Sequence, residues 1–351
     1  MPAITAGPLP KEVMSHMKIV NSTRTRTRTL AVAAVVGAAA LVLSGCSVDN
    51  ADAPSGGSTG GSDSKTIGVS MSFVNQFYSA AQEGMEDEAE EQGYKLTVLN
   101  AQGNSSTQVN QVQNLVSQGV GSIIFIQLDA SSGGASLDQA SAAGIPVIGV
   151  DQVPVSDDYV TYIGSDSVEM AKQTCDYLNE LLGGKGQIAI VEGIPASSTQ
   201  MQRTEGCGDV LTANPGLDVV STTSADWDQN KAVSVFTNVL TANPGLQGVF
   251  AQNDDMALGV ASAIQTAGAP QIPVVSIDGF PAAYTAIEDG TMTSTMSQQP
   301  YNMGRLAVKN AIQAMNGDAA DIPKTQIQDS VLVTKDNLDE ARAAKYYGSQ
   351  G

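Results

Sequence analysis

From residue 66 onward the chain alternates short, almost wholly apolar runs with longer stretches whose apolar residues recur every three or four positions. Runs such as "TIGVSM", "YKLTVLN", "GSIIFIQ", "IPVIGVD", "YVTYIGSD", "GQIAIVEG", "LDVVSTTS", "GVFAQND", "IPVVSIDG" and "TMTSTMSQ" have the length of β-strands. Their continuity, in place of in–out alternation, marks parallel strands covered on both faces. The longer stretches predict helices over about 76–92, 105–118, 132–143, 167–183, 199–213, 228–241, 254–267 and 301–316, with a last strand near 327–333. Repeated strand–helix units mean an α/β protein with doubly wound parallel sheets. About a dozen strands are too many for one such sheet at this length, so two lobes are expected. The octapeptide "VLTANPGL" occurs at 210–217 and again at 239–246. Each copy ends a helix, turns at Asn-Pro-Gly and feeds a strand.

The N-terminus stands outside this pattern. Arg24, Arg26 and Arg28 precede a 14-residue apolar run, Leu30 to Leu43, followed by "LSGC". A basic segment, a short apolar segment and small residues before a cleavage point describe an export signal. The run is shorter than the roughly 20 residues that span a bilayer; an uncleaved anchor is the alternative. "LVLSGC" resembles the bacterial lipoprotein lipobox, which implies cleavage after residue 45 and lipidation of Cys46. Residues 46–64, rich in Ser, Gly and Asp, hold too little apolar surface to fold and read as a flexible tether. A coil of about 18 residues spans roughly 24 Å.

Charge and residue usage narrow the function. The chain carries 17 basic and 36 acidic residues; cleavage before Cys46 removes five and one of these, leaving a net charge of −23. Nucleic acid and anionic lipid headgroups are therefore poor partners. The single histidine, His16, precedes the cleavage point, so the mature chain has no histidine for nucleophilic machinery or metal binding. Cys175 and Cys207 remain, in a compartment that permits disulfides. Their flanking helices surround one strand, which is compatible with a bridge and equally with two buried thiols. No GxxxxGK[ST] loop and no helix-opening GxGxxG is present, and "GGKG" at 183–186 is a helix-to-strand turn. The pairs Asp254–Asp255 and Asp157–Asp158 read as solvated surface, because neighbouring residues point apart on regular structure. No cofactor, metal or catalytic activity is expected.

Open parallel sheets bind ligands beyond the carboxyl ends of their strands. The residues standing there are Asn75, Phe77 and Tyr78; Asp151 and Gln152; Arg203; Trp227, the sole tryptophan; Asn253; Asp278; and Gln298. Aspartate accepts hydrogen bonds, arginine donates them in a fork, and Asn and Gln do both. That inventory fits an uncharged ligand with many hydroxyls, whose C–H faces the aromatics cover. Each residue has a plainer reading. Asn253 and Asp254 also suit a helix cap, Asp151 and Asp278 a turn, Arg203 a surface pair with Glu205, and Trp227 the core. Their shared position at strand tips is what favours a ligand.

"VFAQNDDMALG", "NQFYSAAQEGMEDEAEEQGY", "IPVIGVD", "ADWDQNKA" and "IDGFP" resemble the periplasmic ribose-binding protein family, the pentose- and hexose-binding components of ABC importers, over nearly all of residues 65–335. The resemblance implies the type I periplasmic binding fold: two similar lobes, each a doubly wound parallel sheet flanked by helices, joined by a three-strand hinge. Crossovers then fall near 164–166, 298–300 and 326–330. The lobes become 66–165 plus 299–327, and 166–298 plus 328–343. The sugar contacts it implies are Asn75, Phe77, Tyr78 and Asp151 from the first lobe, Arg203, Trp227, Asn253 and Asp278 from the second, and Gln298 at a hinge. Three departures stand out. Gln152 replaces an arginine of the ribose binder, Ile277 replaces an aromatic, and the first loop is one residue longer, so Ser70 and Ser72 compete for one role. Another pentose, a hexose or a polyol is therefore as well accommodated as ribose.

The expected protein is a monomeric, lipid-anchored binding component on the outer face of a bacterial cell membrane, docking an ABC permease driven by a cytoplasmic ATPase. A sugar sensor that presents its ligand to a membrane receptor is the alternative. The regulatory core of a sugar-responsive repressor shares the fold, but an export signal stands where its DNA-binding helices would be.

Overall fold

The computed structural model describes residues 64–350. The segments read as signal, tether and lipidation site, Cys46 included, lie outside the described residues apart from Ser64. The first half runs β1 (Thr66–Met71), α1 (Gln76–Gln92), β2 (Lys95–Asn100), α2 (Ser105–Gln118), β3 (Ser122–Phe125), α3 (Ala130–Ala142), β4 (Val147–Val150) and β5 (Thr161–Gly164). The second continues with α4 (Ser167–Leu181), β6 (Gly186–Glu192), α5 (Ser198–Ala213), β7 (Leu217–Ser224), α6 (Gln229–Ala242), β8 (Gly248–Ala251), α7 (Asp254–Thr266), β9 (Val274–Asp278), α8 (Pro281–Glu288) and β10 (Ser294–Ser297). The chain closes with α9 (Pro300–Met315), β11 (Thr325–Ile327), β12 (Val331–Val333) and α10 (Leu338–Ala343).

The strands form two six-stranded sheets, ordered β11-β5-β4-β3-β1-β2 and β12-β10-β9-β8-β6-β7. Every pair is parallel except β10 with β12. The central strands are buried along their whole length, among them β3, β4, β8 and β9. This is what continuous apolar runs require of strands with helices on both faces. The edge strand β2 is only partly buried.

The chain passes between the sheets three times: after β5, between β10 and α9, and between β11 and β12. The single last strand expected near 327–333 is in fact two short strands in different sheets. The residues between them form a crossover, and Gln328 N–H donates to the Gly164 carbonyl at 2.7 Å as the chain leaves the first sheet. Two helices escaped the sequence reading. α8 opens on Pro281 with no side-chain cap, and α10 has only six residues.

Cys175 and Cys207 are joined in a disulfide between α4 and α5, with Cα atoms 5.4 Å apart. Both lie in the buried cluster beneath the second sheet. The two "VLTANPGL" copies adopt one turn: Asn214 and Asn243 each donate from Nδ2 to the carbonyl four residues back, both at 2.9 Å.

Candidate functional site

The carboxyl ends of the two sheets face each other around a cavity with an empty volume of about 290 Å³. It is lined by Phe73, Asn75, Phe77, Tyr78, Asp151, Gln152, Thr199, Arg203, Trp227, Asn253 and Asp278. Nine of the ten strand-tip residues singled out in the sequence therefore meet at one place. The tenth, Gln298, stands one layer back and donates from Nε2 to Asp278 Oδ1 at 2.9 Å. Phe73 and Thr199 were missed; Phe73 precedes Asn75 in the same loop, and Thr199 opens the helix that carries Arg203.

Two aspartates anchor the cavity from opposite halves. Asp151 Oδ2 accepts from the Tyr78 hydroxyl at 2.7 Å and from Gln152 Nε2 at 3.1 Å, and among the described residues no donor reaches Oδ1. Asp278 Oδ1 accepts from Gln298 and from Arg203 Nη2, the latter at 3.4 Å, and among the described residues no donor reaches Oδ2. Arg203 also donates from Nη1 to the Gln252 carbonyl, and its plane lies 5.6 Å from the Trp227 ring centroid. Its Nε and the Thr199 hydroxyl are buried without a hydrogen-bond partner among the described residues. Arg203 is thus a buried partner of Asp278, not a surface partner of Glu205.

The capping and lining roles of the asparagines coexist. Asn75 Oδ1 accepts from Tyr78 N–H and caps α1, while its Nδ2 reaches Asp255 Oδ2 at 3.3 Å. Asn253 Oδ1 accepts from Met256 N–H at 3.0 Å and caps α7, which leaves its amide N–H₂ outside the cap. Capping consumes the oxygen and fixes the orientation of the donor.

Several backbones here occupy the left-handed side of conformational space: Asp151 (φ 63°), Asp226 (53°), Trp227 (64°) and Asp278 (140°). Such positions cost of order 1–3 kcal/mol each and persist where the surroundings over-determine them. At the Asp278 turn, Asp254 supplies that constraint. Its carboxylate accepts from Gly279 N–H at 2.8 Å, Phe280 N–H at 2.7 Å, Thr295 Oγ1 at 2.7 Å and the Ser276 hydroxyl. The sequence read the Asp254–Asp255 pair as solvated surface. Instead Asp254 is fully buried, because its helix starts at the tip of a central strand and that tip is enclosed.

Burial governs the titration of these groups. It pushes Asp151 up against the opposing pull of Tyr78, Arg203 and Gln152. Asp278 is pushed well up, with Arg203 opposing and the other aspartates adding to the rise. Burial raises Asp254 to about 6 and Asp255 to about 7, the latter helped by the Asp254 charge.

The halves also touch directly over the cavity. Ser198 Oγ accepts from Val153 N–H at 2.8 Å and donates to Gln152 Oε1 at 3.0 Å, which also accepts from Thr199 N–H at 3.2 Å. A wider groove of about 1410 Å³ adjoins the cavity and shares Phe73, Asn75 and Trp227 with it.

A family model described as a periplasmic binding protein domain matches residues 67–319. The chain belongs to the periplasmic binding protein family. The ribose import binding protein of Bacillus subtilis (strain 168) is 32% identical over 288 residues, covering 82% of this chain and 93% of the relative. The xylitol-binding protein of Mycolicibacterium smegmatis is 31% identical, covering 90% and 88% of the two chains. A solved ABC transporter solute-binding protein of Bacillus halodurans C-125, with bound myo-inositol, superposes with a TM-score of 0.77 at 31% identity, covering 81% and 99%. These relatives are sugar- and polyol-binding transport components, not enzymes. The cavity here lies between the two lobes rather than inside one. Among the described residues no cluster of three metal-ligating side chains occurs, and no helix is long and apolar enough to cross a membrane.

Proposed function

We propose that this periplasmic binding protein is the lipid-anchored, extracytoplasmic solute-binding component of an ABC importer, and that it holds a neutral monosaccharide or polyol between its lobes. The observation that carries the reading is the unfilled hydrogen-bonding capacity around the cavity. Among the described residues, Asp151 Oδ1 and Asp278 Oδ2 are free acceptors, Arg203 Nε is a free donor, and the Thr199 hydroxyl does both. Hydroxyls donate to the first pair and accept from the arginine, so a polyol satisfies every one of these groups. Phe77, Tyr78 and Trp227 supply the apolar faces such a guest needs. Two carboxylates against one guanidinium disfavour an anion.

The contacts are Asn75, Phe77, Tyr78, Asp151, Gln152, Arg203, Trp227, Asn253 and Asp278, with Gln298 acting through Asp278. The lobes are 66–165 plus 299–327, and 166–298 plus 328–343. This division is supported by the pairing of β11 with β5 and of β12 with β10. A ligand bound to both lobes favours closure by its differential affinity, and the closed form is the one a permease engages.

A thermal-shift screen of pentoses, hexoses and polyols against the mature protein tests the reading. A ligand at one hundred times its dissociation constant stabilises by about 2.7 kcal/mol. A flat response to every neutral sugar and polyol would refute it.

A further inference from the structure

Besides the three chain crossovers and the contacts around the cavity, the tail after α10 links the halves. After α10 the chain runs through Lys345 and Tyr346 to Tyr347, whose side chain is only 1% exposed. The Tyr347 hydroxyl donates to the backbone carbonyl of Asp278 at 2.9 Å, and its ring packs edge-on against Phe280 at 5.6 Å. These contacts belong to the turn that holds Asp278 at φ 140°. On either side of Tyr347 the same short segment grips the other half. The Tyr346 carbonyl accepts from Tyr301 N–H at 3.2 Å, on the first turn of α9. Ser349 N–H donates to Glu83 Oε1 at 2.9 Å, on α1, the helix that also carries Phe77 and Tyr78. The turn between them needs Gly348 (φ 61°); a Cβ there would meet Tyr301 Cδ2 at 2.6 Å. Upstream, Arg342 Nη2 bonds Glu288 at 2.7 Å and Lys335 Nζ the Glu288 carbonyl at 3.1 Å, tying the tail's root to α8.

We infer that the tail, residues 345–349, is a strap across the lobes beside the β10–α9 crossover, and that Tyr347 is a positioning residue for Asp278. The strap limits how far α1 and α9 swing from the β9–α8 turn, and it holds the Asp278 backbone in the orientation the cavity needs. The second part rests on the proposed sugar-binding reading; the first does not.

Spin labels on Asp138 of α3 and Asp209 of α5, both exposed and on opposite halves, report the opening by pulsed dipolar spectroscopy. Three proteins are compared: wild type, Tyr347→Phe, and a chain ended after Ala344. The ligand-free distance distribution is expected to lengthen and broaden in the shortened chain and to change less in Tyr347→Phe. With D-ribose, xylitol and myo-inositol as probes, Tyr347→Phe is expected to weaken whichever binds wild type by about five-fold, the loss of one hydrogen bond. A merely structural tail would lower the melting temperature while leaving the ligand-free distances unmoved, and that result overturns the strap. Unchanged affinity in a folded Tyr347→Phe overturns the positioning role. If no probe binds wild type, the sugar-binding reading is what has failed, and the ligand-free distances still decide the strap. Should the shortened chain not fold, Tyr347→Phe carries both measurements.

Discussion

Arg203 Nη2 lies 3.4 Å from Asp278 Oδ1, and the two side chains are only 3% and 6% exposed. The pair is therefore a buried one whose members depend on each other. Removing one partner of such a pair costs about 3–5 kcal/mol, since the other is left as an uncompensated buried charge. Arg203→Ala is expected to lower stability by about that amount and to abolish sugar binding. Asp278→Asn keeps an acceptor but leaves the Arg203 guanidinium without its carboxylate, so it is expected to abolish binding at a comparable cost in stability. Calorimetric titration with chemical denaturation separates the two effects. Retained affinity in Asp278→Asn would remove that residue from the site.

The aspartates at the α7 start make stability depend on pH. Burial raises Asp255 to about 7 and Asp254 to about 6, whereas an unfolded aspartate titrates near 3.9. Between these values the folded protein holds protons that the unfolded chain has released. The stability these groups add is complete below about pH 4 and is lost as pH rises through about 7. Charges facing Asp255 are those of Asp254 and Asp228, and Asn75 is its hydrogen-bond partner. Melting temperatures between pH 5 and 8 are expected to fall less steeply in Asp255→Asn than in wild type. An identical slope in the variant would place the titration elsewhere.

Trp227 sits against a backbone that only glycine allows. A Cβ added at Gly193 would lie 2.0 Å from the indole Cζ2. Gly193→Ala is expected to push the ring out of place, shifting the emission of the sole tryptophan and weakening ligand binding about ten-fold or more. Emission and affinity both matching wild type would show that the ring's place does not depend on this contact.

The Cys175–Cys207 bridge closes a loop spanning 32 residues between α4 and α5. Loop-closure entropy for that span corresponds to about 3–4 kcal/mol. Replacing both cysteines by alanine is expected to lower the denaturation midpoint accordingly, with ligand affinity little changed because neither sulfur lines the cavity. A loss of affinity in the folded variant would instead tie the bridge to the site.

Cys46→Ala is expected to release the protein from membrane fractions into the medium. Unchanged association with membranes would favour an uncleaved anchor through the apolar run at 30–43.

Much of this molecule was determined by local pattern. Continuous apolar runs between amphipathic stretches dictated parallel strands covered by helices, and the strand count called for two sheets. Helix ends followed from side-chain chemistry: α1 and α2 span the predicted residues, each between an asparagine cap and a left-handed glycine. The candidate residues were also legible, because strand tips in a parallel sheet lie at one edge whatever the loops do. What the sequence left open was decided by juxtaposition across long separations. Asn75 and Asn253 both cap and line, since capping uses one amide atom and leaves the other. Cys175 and Cys207 are bonded because α4 packs on α5. Asp254 is a buried organiser of the Asp278 turn because β9 and β10 bring four donors to it. Tyr347, past the last helix, sits beneath a residue 69 positions earlier. Periodicity along a chain reports which face of an element is dry; which distant partner dries it, and what that partner holds in place, exists only once the chain has folded.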